Sequence, residues 1–168
     1  MLRKIFAILL VKKRLIPIMK NYTLKNLIKT DSTSSSEKQM TEENMQSFVR
    51  ENSVVINEEK GYMYFKYLAT KMVLLSDEEH NRMRIISPIT AYSNLAPKIK
   101  DSLMHSNFHK ALDARYAVSE DTLYACFIHP LSSLTLEDLE SALKQVFNLT
   151  ISFGKTYSSG QLDFTTKK

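Results

Sequence analysis

His105, His109 and Asp113 stand four residues apart. On one continuous helix they would share a face, and two imidazoles with a carboxylate are a donor set suited to zinc. Two features argue against that site. Asn107, Phe108 and the residues after Lys110 read as a passage from helix to strand, which sends Asp113 elsewhere. The residue after His105 is Ser106, where the helix of a zinc protease carries its glutamate. No metal and no cofactor is expected here. Cys126 and His129 suggest a thiol nucleophile with a base, but residues three apart on a strand point to opposite faces. Cys126 therefore reads as a small buried filler. Tyr62, Tyr64 and Tyr67 could stack on bases, yet only Lys60, Lys66 and Lys71 accompany them, and sheet packing explains them as well. Three glycines, none clustered, leave no phosphate-binding loop. The chain is accordingly expected not to be an enzyme, with a metal-dependent enzyme using His105 and His109 as the distant alternative.

The elements that position these residues centre on Leu95 to Phe153, which reads as helix, strand, tight turn, strand, helix. Ser119, Glu120, Asp121 and Thr122 interrupt two β-prone runs, Leu112 to Val118 and Leu123 to Ile128, as in an antiparallel hairpin. The closing helix carries Leu136, Leu139, Leu143, Val146 and Phe147 at helical spacing, with Thr135 as cap and Asp138 three residues on. Its apolar stripe needs a sheet to cover. The helix before the hairpin is capped by Asn94, tolerates Pro97 in its first turn and has Leu95, Ile99 and Leu103 as its apolar line. Upstream, Thr41 caps a short helix with Met45, Phe48 and Val49 on its buried side. Asn57 to Gly61 reads as a polar turn. Strands follow at 62–68, 71–75 and 82–87 as a meander that Pro88 ends. The expected fold class is α+β, α-βββ-α-ββ-α, with a twisted antiparallel sheet backed by helices.

A length of 168 residues suits one domain with a tail. A single cysteine excludes an internal disulfide and fits a reducing cytosol, so a cytoplasmic location is expected. The net charge of +5 divides unevenly. Residues 1–39 hold nine Lys or Arg against two acidic residues, and the remainder holds fourteen against sixteen. A phosphate-tracking face has no support in the body, so no nucleic-acid partner is expected. The arm runs from Arg3 and Lys4 through apolar Ile5–Val11 to Lys12, Lys13 and Arg14. That run is too short to span a bilayer, and a basic triplet stands where a signal peptide would have small residues. Membrane contact is confined to residues 1–20, or else translation starts at Met19 or Met40 and the arm is not native. The Ser-rich stretch 30–39 is a linker. The domains expected are 1–39, arm and linker; 40–154, the α+β domain; and 155–168, a docked strand-like tail with isolated Leu162 and Phe164.

Over residues 41–154 the order of elements resembles the small chaperone fold of type III secretion, shared with the YbjN family. The residues that carry the resemblance are Ser106, Asn107 and Phe108 at the end of the central helix, the hairpin Ala111–Val118 and Leu123–Ile128, and the Leu-rich stretch Pro130–Phe147. It implies a non-enzymatic, dimer-forming bacterial protein that holds an extended segment of a partner, a secreted or regulatory client. A YbjN-type regulator is the alternative, favoured by a body less acidic than secretion chaperones usually are. Apolar surface on the central helix, Ile99, Leu103, Met104 and Phe108, is the expected contact of a homodimer.

Overall fold

The computed structural model describes residues 40–160. The Ile5–Val11 run, the Ser-rich linker, Leu162 and Phe164 lie outside them. Helix α1 spans Glu42–Asn52; the Thr41 hydroxyl accepts from the Asn44 N–H at 3.2 Å, and Glu42 and Glu43 occupy the first turn, as the dipole favours. Strands β1 (Val54–Glu59), β2 (Tyr62–Tyr67), β3 (Thr70–Asp77) and β4 (Arg82–Ala91) follow as an antiparallel meander. A 3-10 turn at Tyr92–Asn94 leads into helix α2 (Pro97–His109). Strands β5 (Arg115–Ser119) and β6 (Thr122–His129) form the hairpin, and helix α3 (Leu136–Ile151) closes the domain. The six strands make one sheet in the order β1-β2-β3-β4-β6-β5. The α+β class is as expected, with one strand more in the meander.

That extra strand is β1. Its charged residues, Glu58 and Glu59, gave it a turn-like composition. It is an edge strand, and an edge needs only one apolar contact row. Val55 supplies it opposite Phe65, while Asn57, two residues on, pairs with Tyr64, the next residue of β2, across a bulge at Ile56.

Pro88 does not end β4. The register of Val73 with Ile86 places Lys71 opposite Pro88, which has no N–H to offer. The buried Ser87 hydroxyl donates to the Lys71 carbonyl at 3.0 Å instead, and β4 continues beside β6 with its register shifted between Pro88 and Thr90. Asn94 does not cap α2 either. It lies in the 3-10 turn, and Ala96 precedes the helix without a side-chain bond, leaving Pro97 at the first turn.

The hairpin turn is as tight as its residues suggest. Glu120 and Asp121 both have positive φ, 46° and 60°, as a two-residue turn matched to strand twist requires. Asp121 is held there from outside: its carbonyl accepts from the Tyr92 N–H at 2.6 Å, and its carboxylate accepts from the Ser93 N–H and hydroxyl at 2.7 and 2.6 Å. The hairpin thus fixes the start of α2.

The core lies between one sheet face and α1 with α3. Met45 and Val49 of α1 and Leu139, Leu143, Val146 and Leu149 of α3 meet Met63, Phe65, Met72, Leu74, Met83, Ile85, Leu123 and Phe127. Alternate strand residues turn the other way. The chain after α3 stays docked to Gly160, without forming a strand: Phe153 and Tyr157 pack edge-on against Tyr116 and each other, and the Ser159 hydroxyl accepts from the Leu112 N–H at 2.6 Å.

Candidate functional site

The residues that could have made a catalytic centre are not assembled into one. The His105 and His109 rings lie 4.2 Å apart, centroid to centroid, and the exposed Phe108 ring meets His109 edge-on. Asp113 has left the helix for the loop before β5. There its N–H and that of Ala114 donate to Gln145 Oε1 at 2.8 and 2.9 Å, and its carboxylate accepts from Gln145 Nε2 at 3.2 Å. Among the described residues no group of three or more His, Cys, Asp or Glu could hold a metal ion. Cys126 and His129 point to opposite sheet faces, and His129 stacks on Phe127 and bonds the Pro130 carbonyl at 2.8 Å. Burial raises the Cys126 thiol above its ordinary pKa, partly opposed by Arg84.

What the structure does offer is surface. Helix α2 is pinned by the two residues before Phe108. Ser106, buried, donates its hydroxyl to the Tyr157 carbonyl. Asn107 uses both ends of its amide on one residue of β5, accepting from the Tyr116 N–H at 2.7 Å and donating to the Tyr116 carbonyl at 3.0 Å. These bonds turn Phe108 outward, 76% exposed, beside Met104, 69% exposed. Of the four expected contact residues, Met104 and Phe108 are on the surface and Ile99 is half-buried. Leu103 is a correction: only 3% exposed, it is part of the core and anchors the helix rather than facing outward.

The two edges of the sheet differ. Just before β5 the Ala114 N–H is taken by Gln145, and on β5 both Tyr116 main-chain groups are taken by Asn107, so side-chain amides stand where a further strand would pair. On β1, among the described residues, a side-chain amide reaches the main chain only at the far end, where Gln46 Nε2 donates to the Glu59 carbonyl at 3.4 Å, and Val54 and Ile56 are 67% and 52% exposed.

The face turned away from α1 and α3 is the third surface. Its residues were not recognised in the sequence as a group, although the alternation in β3, β4 and β6 carried the signal: Val73 and Leu75, Arg84 and Ile86, and Tyr124, Cys126 and Ile128 alternate with the core set. Among the described residues no helix is long and apolar enough to cross a membrane.

No protein-family model and no curated protein matches this sequence. Solved structures do. A chain of the HopA1–SchA chaperone–effector complex superposes with a TM-score of 0.51 at 11% identity, covering 65% of this chain and 88% of that one. A chain of the ExsC–ExsE complex gives a TM-score of 0.39 at 15% identity, over 58% of this chain and 70% of that one. The protein has the α+β fold of the type III secretion chaperones, as its order of elements led one to expect. At such identity the likeness is one of fold.

Proposed function

We propose that this protein is a non-enzymatic, cytoplasmic binding module that holds an extended segment of a partner polypeptide. The observation that carries the reading is the fold, which it shares with a chain of a chaperone–effector complex over most of that chain's length. Two surfaces support it. The β1 edge can take an extended segment by main-chain pairing, with Val54 and Ile56 at hand for its side chains. Met104 and Phe108 on α2, with Ile99 at their margin, give a second copy an apolar contact, and a homodimer is part of this reading.

The test is site-specific photo-crosslinking in the native host, with the crosslinker at Val54 or at Phe108. Position 54 is expected to capture one particular foreign polypeptide and position 108 a second copy of the chain. Failure of position 54 to give a discrete adduct would overturn the binding role. For the dimer, Met104→Glu places a charge against an apolar partner surface, which costs several kcal/mol, on the order of 3. Light scattering should then report monomer with the far-ultraviolet circular dichroism intact, and a wild-type monomer at micromolar concentration would rule the dimer out.

A further inference from the structure

The outer face of the sheet has a composition at odds with its exposure. The strand registers set Tyr64 beside Val73, Val73 beside Ile86 and Ile86 beside Cys126, one apolar row across four strands. Tyr62, Leu75 and Ile128 extend it on one side and Tyr124 on the other. An antiparallel sheet with one face toward water ordinarily alternates polar residues onto that face. Here Ile128 is 52% exposed and the rest of the row is half-buried apart from Cys126.

Cations surround this row and, at Arg84, between Leu75 and Ile128, interrupt it. Lys66, Lys71, Arg82, Arg84 and Arg115 are exposed on its strands, against Glu59 and Asp77, and Asp77 is already paired with His80 at 2.8 Å. Lys66, Lys71 and Arg84 make no ion pair among the described residues. The described residues as a whole carry twelve Lys or Arg and fifteen Asp or Glu. An acidic body therefore presents one basic, apolar-centred face, and Leu75, Asp77, His80, Arg82, Arg84 and Ile128 line a depression at one end of it.

We infer that this face docks an acidic polypeptide segment whose apolar side chains seat on Tyr64, Val73, Ile86 and Ile128 and whose carboxylates meet Lys66, Lys71 and Arg84. The inference rests on the partner-binding reading and adds the chemistry of the partner. Complementary charge selects it over the other occupants. A second copy using the same face would bring like-charged rims together. A single-stranded nucleic acid would find aliphatic side chains along the centre, with its stacking rings divided between β2 and β6, three strand spacings or about 14 Å apart.

The experiment selects a randomised, displayed library of short peptides on the full-length protein. Enriched peptides are expected to combine Asp or Glu with apolar residues. Their affinity should fall as salt rises, and Lys71→Glu with Arg84→Glu should weaken them about tenfold or more. Both side chains are exposed, so the fold should be retained, and Ile128→Asp, on the same face, should weaken them independently. Enrichment of basic or uncharged peptides, no enrichment, or indifference to these substitutions would overturn the inference. So would tight binding of oligothymidylate that the double variant abolishes, which assigns the face to nucleic acid, or conversion of a dimer to monomer by Ile128→Asp, which assigns it to a second copy. If a foreign polypeptide still crosslinks at position 54 after any of these results, the binding role stands and only the partner's chemistry falls.

Discussion

At the scale of single residues, Asn107 joins α2 to β5 because its amide offers a donor and an acceptor in the spacing of a peptide group. Tyr116 engages both. Asn107→Asp keeps the acceptor but sets a carboxylate against the Tyr116 carbonyl. It should lower stability by about 1–3 kcal/mol, the order expected for leaving a buried polar group without its partner, read from the midpoint of urea unfolding. Asn107 stood out in the sequence as part of a Ser-Asn-aromatic signature; what it does could not be read there, since its partner lies nine residues on and that of Ser106 is Tyr157. Cys126 shows the reverse case. Its role as a buried filler followed from its strand position, and the structure adds that burial raises the thiol further above neutral pH than a free cysteine and limits access to it. Alkylation of the native protein at neutral pH should therefore be slow, approaching the rate of a free thiol only in denaturant.

At the scale of elements, local rules were sufficient wherever the signal lay within one turn of chain. Thr135 and Asp138 form a complete capping box: the Thr135 hydroxyl accepts from the Asp138 N–H at 3.1 Å, and the Asp138 carboxylate accepts from the Thr135 N–H at 3.1 Å and hydroxyl at 2.7 Å. Thr135→Ala should cost about 1 kcal/mol. The same bonds to Thr135 hold the Asp138 carboxyl below its ordinary pKa. A depressed folded value means that the stabilisation is present above the unfolded carboxylate pKa, about 3.9, and is lost as pH falls through the folded one. Asp138→Asn should flatten that acid limb in pH-dependent unfolding. Local rules failed where a distant neighbour decides. Strand β1 exists because β2 is beside it, β4 survives Pro88 because Ser87 reaches Lys71, and Asn94 loses the cap to a turn that Asp121 organises.

At the scale of the molecule, the core formed by the described residues runs from Met40 to Leu149, with Phe153 and Tyr157 packed against it, and a chain that begins at Met40 is expected to fold. Equal thermal midpoints and circular dichroism for that chain and the full-length protein are the expected result. The two edges of the sheet also set what copies of the protein could do to one another. Joining β1 of one copy to β5 of the next would be a head-to-tail contact, and such a contact, unless it closes into a ring, repeats and grows a filament. Asn107 and Gln145 occupy the β5 side of that joint, so growth has an initiating edge and no receiving one. The sheet is open in shape yet covered at one edge, and of the two residues that cover it Asn107 is the one that also sets Phe108 on the surface.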